Sequence, residues 1–540
     1  MRRQPPLVQA IVRFASLGIG CLVLGWHLWL AGSSVRLQPA QADPLRGVLW
    51  TYVKTPELLR QLPTDARLSF WTPPDDHPCV ALSQARMLAP FAWPRRLLDP
   101  RDPASLEEVD AVLVPECFAS PWKQLLEERK MPGWRMLKRA EDEHLSVQLW
   151  TNNEPGWLSA TEAGVRNPTV PWGAILLSLG AGLAGLMVMQ RQAASVGAIV
   201  CVGLIWIGCW AVALWADDLG NTGAGLWALR GRVVWEAGIG GLHSILHGRE
   251  SGWFMAPDYP PGHAGLLAAV SSLDTIFDWR AGRFVACAAW PWLVTGIAMT
   301  FRSLGAGCGS WVPWILALAL ATTPVVVEAL RCGLPEILLW SCLLWCGAAL
   351  RPHGSSAWMV VGCLAAFFAT QLKREALALL LLMLCGMAAC SSARKLQPMA
   401  VIAATLLLGA LCNTWWSAAS QDLSWQAAAT RPFQECVQIV IHGLQQFWNL
   451  LTDLRALGPA MLCGLLAVWW QRPAAVALAV CLGMAAAGFS VLFVFSKLGP
   501  LEDILDYHMS ALARLCQGSL LIALSVAGGA ARTEAKPISA

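Results

Sequence analysis

Residues Val196–Trp215 read VGAIVCVGLIWIGCWAVALW, and Ala216-Asp217-Asp218 follow at once. A helix needs about 20 apolar residues to cross the ~30 Å hydrocarbon core of a bilayer, and this uncharged run supplies them. Two carboxylates at its end mark a membrane boundary, where an acid is either solvated or put to use. Comparable runs recur at 14–31, 171–189, 283–301, 311–327, 335–350, 356–371, 376–391, 398–416, 456–470, 473–495 and 511–531. With 196–215 they give an expectation of about 12 transmembrane helices.

Composition agrees. The 540 residues are 56% hydrophobic and only 14% charged, with mean hydropathy +0.50. Soluble proteins carry roughly 25% charged residues, so this chain cannot hide its apolar surface in a water-soluble globule. The formal charge of +4 excludes a nucleic-acid binder built on a strong basic face. Thirty Trp against three Tyr suit many membrane–water boundaries. The 18 Cys lie mostly in apolar runs and form no CxxC pair, so they read as small buried hydrophobes rather than a zinc or disulfide framework.

The organisation that follows is an anchor at 1–32, an α/β domain at 33–170, a polytopic domain at 171–532 and a cytoplasmic tail at 533–540. Small residues after the first run also allow a cleaved signal peptide there. The Lys/Arg bias of short loops sets the orientation. With the N-terminus inside, Arg191, Arg302, Arg351, Arg394, Lys395 and Arg472 fall at inner turns. The domain and the loops 216–282, 328–334, 372–375, 417–455 and 496–510 then face outside. Segment 262–277 is apolar but interrupted by Asp274, and if it spanned, the bias would invert. It reads as a half-inserted helix. Of the 35 acidic residues, 18 lie between 33 and 168. All the others except Glu534 fall on or near the outer face, which points to chemistry there.

In the domain, periodicity predicts strands at 66–71, 109–114 and 147–150, and helices at 80–90 and 122–129. Cys79 and Cys117 are either a pair or two free thiols. No Gly-rich phosphate loop is present.

Several outer constellations can carry chemistry. Asp217 and Asp218 read as a solvated helix end or as a general base. Arg230 and Arg232, in Trp227-Ala-Leu-Arg230-Gly-Arg232, read as lipid-snorkelling side chains or as a phosphate clamp, for which the guanidinium fork is apt. Asp258-Tyr259-Pro260-Pro261-Gly262-His263 is a rigid turn heading the half-inserted helix. His243 and His247, four residues apart, could bracket a metal, with no third ligand fixed by spacing. Gly333-Leu334-Pro335-Glu336 opens one span. Lys373-Arg374-Glu375 puts cations on the outer side against the positive-inside trend, and an anionic partner would explain them. His508 and Arg514 enter the last span from outside.

This order of motifs resembles bacterial membrane glycosyltransferases of the GT-C superfamily, on the branch related to dolichyl-phosphate-mannose–protein mannosyltransferases. The resemblance covers about residues 196–530. It departs from the family pattern at the Asp218–Trp227 spacing, at Gly262 where Leu is usual, and at Arg374-Glu375-Ala376, which replaces Asn-Glu-Gly. It implies a GT-C-like core that moves a sugar from a polyprenyl-phosphate carrier to an unidentified acceptor, with inversion, on the outer side of a bacterial inner membrane. Asp218 or Asp217 is then the catalytic base. Arg230, Arg232, Lys373 and Arg374 address the phosphate, while Asp258, Tyr259, His508 and Arg514 shape the site. A divalent metal is compatible but not required, and nucleic acid is not a partner. A non-catalytic assembly partner with the same fold is the alternative. A transporter is disfavoured by spans almost free of mid-membrane charge.

Overall fold

The computed structural model describes residues 6–36, 62–63, 65–71, 96–98, 105–141, 146–152, 171–192, 194–215, 222–247, 259–274, 277–278, 280–304, 311–350, 356–389, 396–416, 429–453, 455–468, 472–495 and 501–531. These residues are mostly helical, with one small sheet. Five helices are long and apolar enough to cross a membrane: Trp172–Arg191, Val196–Leu214, Ala281–Ser303, Pro473–Val494 and Ala511–Ala530. Val312–Ala321 and Pro324–Cys332 would make a sixth span, bent by 59°. The remaining apolar helices are shorter.

Among the described residues, the helices of nine or more residues are α1 (Pro6–Arg36), α2 (Ala119–Glu128), α3 (Trp172–Arg191), α4 (Val196–Trp215), α5 (Thr222–His247), α6 (Gly262–Val270), α7 (Ala281–Ser303), α8 (Val312–Ala321) and α9 (Pro324–Cys332). They continue as α10 (Glu336–Ala349), α11 (Ser356–Leu372), α12 (Glu375–Ala389), α13 (Leu396–Trp416), α14 (Phe433–Thr452), α15 (Gly458–Val468), α16 (Arg472–Val494) and α17 (Leu501–Ala531). The most apolar 18-residue stretch of α7 is 89% buried, and α7 packs against α3, α4, α8, α10 and α17. Trp290 of α7 ties it to α8 by donating Nε1–H to the Ala321 carbonyl at 2.8 Å.

The run 311–327 is two helices rather than one. Pro324 has no N–H to continue α8, and the Thr323 hydroxyl caps the new helix by accepting from the Val326 amide at 3.4 Å. Helix α6 with its following turn, Gly262–Leu273, has 12 residues and a length of about 18 Å, well short of a bilayer core. The run 456–470 contributes only the 11 residues of α15. The region 417–455, expected as a loop, contains the 20-residue α14, packed through Ile439, Gly443, Phe447 and Leu451.

Asp274, just past α6, accepts from the amides of Gly173 and Ala174 at 2.8 and 2.9 Å. It thereby satisfies two orphan donors of the first turn of α3. A Cβ on Gly173 would lie 2.5 Å from the Leu273 Cβ, so the approach requires glycine. The beginning of α3, where the chain arrives from the α/β domain, therefore lies at the same end of the bundle as α6.

The sheet has the order β2-β1-β3-β5-β4, from β1 (Arg67–Phe70), β2 (Arg96–Leu97), β3 (Ala111–Pro115), β4 (Arg135–Glu141) and β5 (Ser146–Thr151). β1 is parallel to β2 and β3, and β5 is antiparallel to β3 and β4. Three strands and helix α2 stand where periodicity placed them. β4, RMLKRAE, was not expected. It is an edge strand, and edges carry charge in place of an apolar alternation. The expected helix at 80–90 and Cys79 lie outside the described residues, as does the Cys117 side chain.

Candidate functional site

The first half of α5 is buried all round from 224 to 231, Leu226, Trp227 and Arg230 included. The kink at Gly238 (φ 72°) ends that half, since a left-handed backbone is costly for other residues. Arg230 is 0% exposed. Its Nη2 donates to the carbonyls of Tyr259 at 2.6 Å and Pro260 at 3.3 Å, stitching the turn ahead of α6 onto α5. Trp416, at the end of α13, donates Nε1–H to the same Tyr259 carbonyl at 3.1 Å.

The Tyr259 ring is the hub. Trp227 meets it edge-on at 5.3 Å, and Lys373 Nζ and Arg374 Cζ stand 5.6 and 5.3 Å from its centroid. Such cation–aromatic contacts are worth about 0.5–2 kcal/mol each, more as water is excluded. The Tyr259 hydroxyl donates to Glu375 Oε1 at 3.3 Å. Gly262 accounts for how close α6 comes to the end of α11. A Cβ there would sit 2.5 Å from the Gln371 carbonyl oxygen, so the leucine usual in the resembling family has no room.

Beside Tyr259 lies an ion-pair lattice. Glu336 is 3% exposed in the first turn of α10, where the helix dipole favours a carboxylate. Its Oε1 lies 2.9 Å from Lys373 Nζ and 2.7 Å from Arg514 Nε. Lys373 is also 3.6 Å from Glu375 Oε1. Burial works against the lysine charge, but Glu336 and then Glu375 outweigh it and raise the Lys373 pKa above the ordinary lysine value. The second oxygens of Glu336 and Glu375 are buried without a hydrogen bond.

His263, 0% exposed in α6, meets Trp227 edge-on at 5.0 Å. Burial pushes its pKa down to about 3, against the opposing pull of Glu336 and the Gly333 carbonyl, so the ring is neutral. Neither ring nitrogen makes a hydrogen bond of full geometry. Gly333 (φ 66°) closes α9 and is pressed against α7, where a Cβ on Gly282 would fall 2.5 Å from its carbonyl oxygen.

Five expected site residues thus come together: Arg230, Tyr259, Lys373, Arg374 and Arg514. Arg232 does not join them. It turns to Glu236, 2.8 Å away, with both side chains about 30% exposed. Asp217, Asp218 and Asp258 lie outside the described residues. His508 falls within α17, and its side chain is likewise outside the description. His243 packs on the Trp416 ring at 5.4 Å, and among the described residues no three His, Cys, Asp or Glu converge as a metal site. Glu336 and His263 were visible only as motif members without a role. Trp416 gave no signal, because its contact with Tyr259 spans 157 residues.

Four cations and three carboxylates converge here, Arg230, Lys373, Arg374 and Arg514 with Glu336, Glu375 and Glu328, whose charge acts on Arg514, an excess of +1 among these groups. A desolvated excess of that sign suits a small, multiply coordinated anion. No family model, curated protein or solved structure matches this chain.

Proposed function

We propose that the protein is an inverting membrane glycosyltransferase that moves a sugar from a polyprenyl-phosphate carrier to an acceptor at the outer face of a bacterial inner membrane. The observation that carries this is the convergence of Arg230, Lys373, Arg374 and Arg514 around Tyr259, at the end of the bundle where α3 begins. Segments read as outer loops from charge bias alone supply four of these five residues, and Arg514 follows closely on the fifth such loop. On this reading about 12 helices cross the membrane, the shorter apolar ones included, around a GT-C-like core.

Sugar transfer makes two demands. The acceptor hydroxyl must lose a proton as the bond forms, and the departing lipid phosphate must be stabilised as its charge grows. Arg374 is suited to the phosphate through guanidinium geometry, while the fully buried Arg230 holds the Tyr259 turn beside it through the Tyr259 and Pro260 carbonyls. Lys373 and Arg514, each already paired with Glu336, set the local charge and hold the turn in place. Asp218, with Asp217 as the other candidate, is the proposed base on the segment joining α4 to α5.

A non-catalytic membrane assembly factor is the second reading. What favours it is Glu336, which engages two of the cations that would otherwise face a ligand.

Binding to protein in nanodiscs separates the two. Polyprenyl phosphate should bind tenfold or more tighter than the matching polyprenol, because a charge-assisted contact is worth roughly 1.5–3 kcal/mol. Arg374→Ala should erase most of that preference. Asp218→Asn should retain donor binding and lose about 10²–10⁴ in transfer. Equal binding of phosphate and alcohol would remove the donor-site reading, and transfer that survives the Asp217→Asn/Asp218→Asn double variant would remove the mechanism.

A further inference from the structure

The α/β domain carries a cavity separate from the membrane residues above. A cavity of about 500 Å³ opens beside the C-terminal end of α2, within the size range of small-molecule sites. Leu126, Met131, Trp134 and Trp150 form its apolar wall, and Lys123, Glu127 and Lys130 its charged rim.

The wall is held rigidly. Trp150 donates Nε1–H to Gln148 Oε1 at 2.9 Å, Gln148 donates to Glu116 Oε2 at 2.7 Å, and Arg139 pairs with Glu116 at 3.4 Å. Arg139 lies opposite Gln148 in the β4–β5 pairing, so it lies on the Trp150 face of the sheet.

The rim has an unusual backbone. Lys130 has φ 52°, and its amide donates to the Glu127 carbonyl at 3.1 Å while Met131 donates to Leu126 at 2.9 Å. This left-handed helix stop is normally given to glycine, so placing a lysine here costs stability. Lys123 stands seven residues earlier, about 10 Å along the helix. Glu127 lies between them at helical spacing and pairs with neither lysine. The stretch 123–139 holds six Lys and Arg against two Glu, a balance of +4 that equals the formal charge of the whole chain.

We infer that this cavity binds one unit of an acidic, carboxylate-bearing glycan. The ammonium groups of Lys123 and Lys130 meet the carboxylates of that unit and of a neighbouring unit along the glycan, Glu127 accepts from sugar hydroxyls, and the apolar wall receives the ring face. A lipid head group would use the cations but leave Glu127 unmatched. The inference does not depend on sugar transfer in the membrane domain.

The test uses the full chain in nanodiscs of neutral lipid, with oligogalacturonate as probe and dextran of equal length as control. Oligogalacturonate should bind tenfold or more tighter than dextran at low salt and weaken as salt rises. It should also protect Lys123 and Lys130 from an amine-reactive reagent. Lys123→Gln should weaken binding several-fold. Lys130→Gly is the sharper variant. It relieves the left-handed lysine, so thermal stability should hold or rise while affinity falls several-fold. Equal binding of the two glycans, or unchanged affinity in both variants, overturns the proposal. Protection of the two lysines by phosphatidylglycerol discs and not by oligogalacturonate also overturns it and assigns the patch to the membrane surface.

Discussion

Replacing Glu336 by Gln keeps the side chain's shape and one oxygen acceptor but removes the charge on which Lys373 and Arg514 both rest. The three side chains are 4%, 10% and 18% exposed, so water cannot take over. Removing one partner of a buried pair typically costs 3–5 kcal/mol, because the remaining charge stays buried and uncompensated. Here two cations are left behind. Lys373 retains Glu375 at 3.6 Å and Arg514 retains the charge of Glu328, so each cation keeps partial compensation. Glu336→Gln should therefore cost about 3–5 kcal/mol, and Lys373→Gln less, since Glu336 then still holds Arg514. The two changes should also couple by more than about 1 kcal/mol in a double-mutant cycle, as neighbours in one network do. Equilibrium unfolding in mixed micelles, followed by tryptophan fluorescence, measures all three variants. A loss below about 1 kcal/mol for Glu336→Gln, or additivity of the pair within about 0.5 kcal/mol, would refute the lattice as a stabilising unit.

Arg230→Ala should disrupt the Tyr259 turn and lower both stability and donor binding. Arg232→Ala, which loses one part-exposed pair, should change stability by no more than about 1 kcal/mol and leave donor binding unchanged, as ligand titration would register. Gly262→Ala should destabilise by about 1–3 kcal/mol through overpacking against Gln371, seen as earlier unfolding in the same micelles. His263 is neutral when folded, with its pKa pushed down to about 3 by burial. The unfolded chain takes up a proton near pH 6.5 and the folded chain does not, so stability falls as pH drops from about 6.5 toward 3, by at most about 1.4 kcal/mol per pH unit. His263→Phe should flatten that acid slope. For Lys373 the sign is reversed. Its raised pKa means its contribution holds from neutral pH to about 10 and is lost only above that, so stability should not vary with this group between pH 7 and 9.

The membrane character was legible from apolar run length, and the short length of α6 fits the break that Asp274 makes in its apolar run. Arg374 and Lys373 stood out because the charge bias of the other loops would put these cations on the outer side, against the positive-inside trend. What periodicity cannot supply is the pairing between distant segments. Arg230 and Arg232 are alike in sequence, yet a helix turns 100° per residue, so two steps send one inward to Tyr259 and the other toward Glu236. Glu336 illustrates the same limit. An acid at the start of an apolar helix reads as a solvated end until α11 and α17 bring two cations to it. Strand β4 was missed for a local reason, since an edge strand satisfies its exposed side with charge and shows no alternation.

The capping of α3 by Asp274 gives whatever lies upstream a fixed point of attachment. Gly173 and Ala174 anchor to the turn after α6 through backbone amides, contacts that need no side chain from upstream of residue 171. A different module spliced in upstream of residue 171 would meet the same docking point, provided Gly173 and Asp274 were kept. The helix that carries Gly262 and His263 would be undisturbed, and a lineage could change what the protein grips without rebuilding what it holds in the membrane.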